Sequence, residues 1–202
     1  WRLTLVNRWN PITEYWEVET VTLSNGEKVD ARIYPELQQM SYKYDVHCHM
    51  SVPRGVDVVH LISISCESTM ELLIPMGHSH PMYCSAMGRA ILAYLPEGQV
   101  QKILKHSDLR KFTPETKTDL VEIREELART RQRGYCVLFE ELSENKSSLA
   151  APIFDRSREP IAAISISSSA HSLSKPQRER ELAKAVVTAA GRISGKLGYY
   201  PK

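Results

Sequence analysis

The stretch Pro81–Leu95, PMYCSAMGRAILAYL, decides how this chain is read. Met87, Ala90, Ile91, Tyr94 and Leu95 fall at i, i+3, i+4, i+7 and i+8, the spacing of one apolar helix face. Ser85 stands just before them, where a hydroxyl caps free backbone N–H groups. An extended segment therefore turns into a helix at Ser85. Such a helix start favours an anion such as a carboxylate. Helix starts of this kind are common, so the weight of this one comes from the rest of the chain.

Upstream, residues 46–52 (VHCHMSV) alternate with the period of a strand: Val46, Cys48, Met50 and Val52 against His47, His49 and Ser51. Pro53-Arg54-Gly55 makes a turn into a second strand, Val56–Ser65, so the pair predicts an antiparallel hairpin. Thr69–Pro75 reads as a third strand. Before the hairpin, Pro35 suits the first turn of a helix whose apolar face is Ile33, Leu37, Met40 and Tyr44.

Downstream, the Ser85 helix is expected to stop near Pro96, and a short helix carries Val100, Ile103 and Leu104. Residues 105–118 are polar and read as loop. Asp119–Glu122 (DLVE) forms a capping box that opens a charged helix with Leu120, Ile123 and Leu127 on one side. Gly134 ends it. Three strands follow, Tyr135–Glu140, Leu149–Asp155 and Pro160–Ser168, and the loop Arg156–Glu159 makes the last two a hairpin. Ser174–Gln177 (SKPQ) is expected to cap a final helix lined by Leu182, Val186, Ala189, Ile193 and Leu197, with Gly198 at its end.

This order predicts an α+β fold, an antiparallel sheet with helices packed mainly on one face. Residues 1–32 stand apart. They hold Trp1, Trp9 and Trp16, all the tryptophans of the chain, and a turn signal at Asn25-Gly26. They read as an arm, partly helical and partly extended. The chain opens on Trp1 rather than Met, as expected of a piece of something longer.

With 202 residues, the chain is long enough for a substantial core. Its net charge of +2 is too balanced to argue for nucleic acid by itself. No apolar run nears the roughly 20 residues that span a bilayer. Cys48, Cys66, Cys84 and Cys136 lack a paired CxxC spacing and read as reduced core thiols of a cytoplasmic protein.

Gly77, Pro81 and the run Gly88-Arg89-Ala90-Ile91-Leu92-Ala93 resemble the hallmark of the effector-binding domain of IclR-type bacterial transcriptional regulators. Three further features of that family fall in order: Leu127-Ala128 with Arg131 and Arg133-Gly134-Tyr135, then Leu149–Asp155 (LAAPIFD), then Ala162–Ser167 (AAISIS). The closing helix, with Ala189-Ala190, Ile193-Ser194 and Leu197-Gly198, also fits. The likeness covers about residues 33–198.

This resemblance implies a GAF-like twisted antiparallel sheet whose face binds a small effector. It divides the chain at residues 1–32, the end of a DNA-binding wing and an oligomerisation arm, and 33–202, the effector-binding domain. Trp1–Leu5 (WRLTL) resembles the end of the wing, whereas Asn10–Asp30 departs from the usual linker helix. The matching pocket positions are Ala86, Met87, Leu138, Ser148, Ser165 and Ser167, to which the cap Ser85 is added. Ser165 and Ser167 lie two apart on a strand and share a face. Ile164 and Ile166 point the other way, toward a helix layer. Some relatives place an acid at the position of Leu138, and Met87 is bulkier than the alanine or glycine often found there. Both departures favour an organic acid with a hydrophobic or aromatic body.

The implied function is a ligand-sensing domain that binds a small organic acid and controls DNA binding allosterically. It self-associates to a dimer or tetramer, aided by residues 1–32. Operator DNA is reached only through a winged helix-turn-helix N-terminal to these residues, with no membrane partner and no cofactor. Plainer readings exist for several residues. Ser165 and Ser167 also suit a solvent face, and Ser85 a purely structural cap. The competing reading is a zinc-binding or Cys/His-dependent small-molecule hydrolase, with His78, His80 and Cys84 as metal ligands or Cys84 as nucleophile and His80 as base. No oriented acid partner is legible for it, so the chain is expected not to be an enzyme.

Overall fold

The computed structural model describes residues 4–10, 15–22, 28–30, 33–65 and 74–200, with side chains described from residue 33 onward. Strands β1 (Thr4–Asn10), β2 (Tyr15–Thr22) and β3 (Lys28–Asp30) form a three-stranded antiparallel sheet in that order. β1 and β2 are rich in β-branched and aromatic residues, which suit a pleated strand. The helical share expected within residues 1–32 has no counterpart among the described residues, and Asn25-Gly26 lies outside them.

A second sheet and its helices follow in the order α1 (Ile33–Tyr44), β4 (His47–Arg54), β5 (Asp57–Ile64), β6 (Ser79–Pro81), α2 (Ala86–Leu92), α3 (Glu97–His106), α4 (Leu120–Arg133), β7 (Cys136–Phe139), β8 (Lys146–Phe154), β9 (Pro160–Ser169), α5 (Ala170–Leu173) and α6 (Pro176–Lys196). Its strand order is β6-β5-β4-β9-β8-β7, and every neighbouring pair is antiparallel. The α+β fold expected from the sequence is the fold observed. The β4–β9 pairing sets His47 opposite Ser167 and His49 opposite Ser165, joining the two halves of the chain.

Two cores flank this sheet. On the back face Met50, Leu149, Ile164 and Ile166 pack with Leu37 of α1 and with Leu182, Val186 and Ile193 of α6. On the front face Val58, Cys136, Ala150 and Ala163 pack with Ala90 and Ile91 of α2, Val100 and Leu104 of α3, and Ile123 and Leu127 of α4. In this finer respect the structure differs from the expectation of cover mainly on one face. Periodicity shows that a helix has an apolar side, but not which side of the sheet receives it.

Local signals hold with a few changes. Asp119 caps α4 by accepting from the Val121 and Glu122 amides, and Gly134 closes it at φ 84°. On that helix Ile123 and Leu127 are buried, whereas Leu120 is exposed. Helix α2 ends at Leu92 rather than near Pro96. The N-cap of α6 is Lys175 with no side-chain bond, because Pro176 already fits the first helical position. Ser174 instead ends the unexpected α5, its hydroxyl donating to His171 O at 3.1 Å. Beyond β5 the sheet is extended by β6, while residues 69–73 of the strand expected there lie outside the described residues. Cys84 and Cys136 are buried free thiols, Cys48 is buried, and Cys66 lies outside the described residues.

Candidate functional site

Helix α2 is wholly buried, and its start is fixed from three directions. Ser85 is extended, and its Oγ accepts the Gly88 amide at 3.2 Å. A Cβ on Gly88 would lie 2.3 Å from Met82 Cα, so only glycine lets the helix sit on the 3₁₀ turn Met82–Cys84. Arg89 is 0% exposed: its Nε donates to Tyr83 O at 2.5 Å, and its two Nη atoms donate to Glu141 at 2.7 and 2.6 Å. This fork-to-fork pair ties the helix to the loop that follows β7.

The same loop is held from residues 113–117. Thr113 Oγ1 donates to Glu140 O at 2.7 Å, and Thr116 Oγ1 donates to Glu141 O at 2.6 Å. The Lys117 amide donates to Glu141 Oε2 at 3.0 Å, so the buried carboxylate is satisfied by two basic residues. Breaking such a buried pair strands the other charge, which makes it a rigid clamp.

Helix start, clamped loop and sheet front face border a half-open cavity of about 290 Å³. This is near the lower end for small-molecule sites. One side is Cys84, Ser85 and Ala86 at the helix start. A second is Glu141, Leu142 and Ser143 of the loop. The floor is Leu138, Lys146, Ser148 and Ser167 from β7, β8 and β9. The remaining wall is His49 and His80, with Ile74 beside them. Five of the seven residues expected from the sequence thus converge here: Ser85, Ala86, Leu138, Ser148 and Ser167. Ser148 and Ser167 share a hydrogen bond of 2.8 Å between their hydroxyls.

Met87 and Ser165 do not line the cavity. Met87 belongs to the front core with Ala90 and Ile91. Ser165 is 2% exposed, one cross-strand row deeper than Ser167, paired to His49 on one side and Ala150 on the other. Ala150 packs in the α2 core, so that row is covered.

The imidazoles and the thiol of the cavity wall are held neutral by burial. Burial lowers His49 and His80 to about 4 each, and neighbouring histidines add to the effect, so both rings are neutral at pH 7. Burial pushes the Cys84 thiol up to about 12, which keeps it protonated and poorly nucleophilic. Among the described residues no three His, Cys, Asp or Glu side chains converge as a metal-ligand set. The trio His78, His80 and Cys84 therefore does not form one. The geometry provides a small chamber with hydroxyls, one lysine and neutral imidazoles around an apolar interior.

Sequence reasoning missed Arg89, Glu141 and Lys146. Arg89 carries a signal in retrospect, as the sole charged residue in Pro81–Leu95, within a helix buried on every side. Glu141 carries none, because its partner is 52 residues away. Lys146 stands at the strand start as an ordinary exposed lysine.

The family described as bacterial transcriptional regulator IclR C-terminal matches residues 22–195. The transcriptional repressor IclR of Escherichia coli (strain K12) is 35% identical over 166 residues, covering 81% of this chain and 60% of that protein. The HTH-type transcriptional regulator KipR of Bacillus subtilis (strain 168) is 28% identical over 165 residues, covering 82% of this chain and 66% of that protein. The chain thus spans about three fifths of the length of the first of these relatives. Among solved structures, Thermotoga maritima IclR has a TM-score of 0.80 at 25% identity, covering 90% of this chain and 80% of that one. The C-terminal domain of the E. coli regulator KdgR has a TM-score of 0.75 at 26% identity, covering 83% of this chain and 96% of that one. These relatives are named regulators or repressors, not enzymes. The match over most of its length and the shared fold show that this chain belongs to the IclR family of bacterial transcriptional regulators and carries its C-terminal domain.

Proposed function

We propose that this chain is the sensing part of an IclR-type regulator and that its cavity binds a small organic acid. The observation that supports this is the convergence of Ser85, Leu138, Ser148 and Ser167, spread over more than eighty positions, on one small, half-open cavity. Ser85, Ala86, Leu138, Ser148 and Ser167 are the direct contacts in this reading. Met87 and Ser165 support them from behind. The apolar share of the wall, Ile74, Ala86, Leu138 and Leu142, suits an acid with a hydrophobic or aromatic body.

The acid acts by its difference in affinity for two arrangements of the regulator, which limits how far it shifts DNA binding. Residues 1–32 serve as the end of the wing and an arm between subunits of a dimer or tetramer. Operator DNA is read by a domain N-terminal to this chain, in the cytoplasm. No described helix is long and apolar enough to cross a membrane.

A thermal-shift screen of organic acids tests the reading. At least one acid is expected to raise Tm in a concentration-dependent way. Replacing Ser148→Ala and Ser167→Ala together is expected to weaken its binding by about 1–3 kcal/mol. Unchanged affinity by calorimetry rejects the site, and a screen without any stabilising acid rejects the function.

A further inference from the structure

The histidines are the part of the cavity wall that this reading leaves without a role. His49 of β4 and His80 of β6 both line the cavity, and His60 of β5, the strand between β4 and β6, contacts both rings. The His60 ring centroid is 5.6 Å from that of His49 and 5.0 Å from that of His80. His78 extends the row outward, 4.7 Å from His80, and is exposed.

The tautomer of His49 follows from its neighbour. Ser63 Oγ donates its hydrogen to Ile74 O at 2.6 Å, so His49 Nδ1, 3.2 Å away, must donate to Ser63 Oγ. That leaves His49 Nε2 a bare lone pair on a neutral ring. His49 Nε2, His80 Nε2 and both nitrogens of His60 are buried without a hydrogen-bond partner among the described residues. A buried polar atom left unpaired is costly and rare. Three adjoining rings in that condition, two of them on a cavity wall, mark a place that a bound molecule completes.

Resting on the acid-sensing reading, we propose that His49 and His80 are the anion-binding wall of the cavity, and that a monocarboxylate enters with one proton from water to form an imidazolium–carboxylate pair. One N–H bond forms at an imidazole Nε2, and the carboxylate accepts from it. Carboxylate and proton together add no net charge, so the pair avoids the penalty of burying an ion alone. The row is neutral at pH 7 because burial holds His49, His60 and His80 at about 4, 3 and 4.

The other groups around the row leave the coupling to the histidines. Lys146 of β8 lies on the cavity floor with Ser148 and Ser167, apart from the wall of histidines. Glu141 of the loop is committed to Arg89 and Lys117. The Cys84 thiol, raised to about 12, stays neutral. His47 of β4 is depressed by burial too, but it does not line the cavity.

Calorimetry of the full chain with benzoate, phenylacetate and butyrate, in phosphate and in Tris buffers, tests this. The difference in heat between buffers counts the protons exchanged. Uptake near one proton per site is expected, with affinity improving about tenfold per unit from about pH 8 to about pH 6. H49Q and H80Q, which keep a polar amide but cannot titrate, are expected to cut the uptake by half or more and flatten the pH profile while the melting curve is retained. Where a variant does not fold, the wild-type buffer series decides. Binding without proton uptake and with a flat profile overturns the proposal, assigns the anion to Lys146 and the hydroxyls, and leaves the acid-sensing reading standing. If no acid binds at millimolar concentration, both fall.

Discussion

On β4, Cys48 and Met50 face the back of the sheet while His47, His49 and Ser51 face the front; on β9, Ile164 and Ile166 oppose Ser165 and Ser167. Alternation of this kind ordinarily divides core from water. Here both sides are buried, with Cys48 at 0% and His49 at 1% exposure. The back is an aliphatic interior closed by α1 and α6. The front carries a second apolar core beneath α2 and, beside it, a buried polar patch where the cavity opens at the edge of that roof. A buried polar face with unpaired nitrogens adds nothing to stability, so its presence points to binding.

The comparison is broken most severely by removing the clamp on the roof. Arg89→Ala leaves Glu141 buried without its forked partner and is expected to cost about 3–5 kcal/mol in urea denaturation. A loss under about 1 kcal/mol would show that the front face keeps its cover without the pair.

A matched pair of truncations sharpens the contrast. Ile166→Ala on the back face is expected to cost about 2–5 kcal/mol, because a cavity is left in a filled core. Ser167→Ala on the same strand, facing the cavity, is expected to cost under about 1 kcal/mol. Equal losses would mean that the two faces are packed alike.

The same contrast is carried into pH dependence. His49, His60 and His80 lie below their ordinary value of 6.5 in the folded chain, at about 4, 3 and 4. Between pH 6.5 and those values the unfolded chain takes up protons that the folded chain refuses. Stability is therefore complete above pH 6.5 and declines as the pH falls toward 4. The slope reaches at most about 1.4 kcal/mol per unit for each histidine. Urea midpoints from neutral to mildly acidic pH check this. His60→Phe is expected to flatten the slope, and an unaltered slope would assign the loss to other groups.

The sequence made much of this arrangement readable. The Ser85 cap and the apolar spacing that begins at Met87 announced α2, and the capping box with Gly134 bracketed α4. The alternation in residues 46–52 named the residues of each face. It could not say that the polar face would be covered, because a period of two separates faces without specifying what packs on them. The Arg89–Glu141 clamp and the row from His49 to His80 depend on chain segments meeting across the fold. No local pattern marks such pairs. In residues 1–32 a mixed composition concealed a regular three-stranded sheet.

Methyl-labelled protein titrated with benzoate and followed by NMR tests most directly that the polar face beneath α2 is the ligand chamber. The Leu138 and Ala86 methyl signals are expected to move with saturation, while those of Ile164 and Ile166 stay in place. Movement confined to the back-face isoleucines, or binding that leaves Leu138 and Ala86 untouched, would contradict the account.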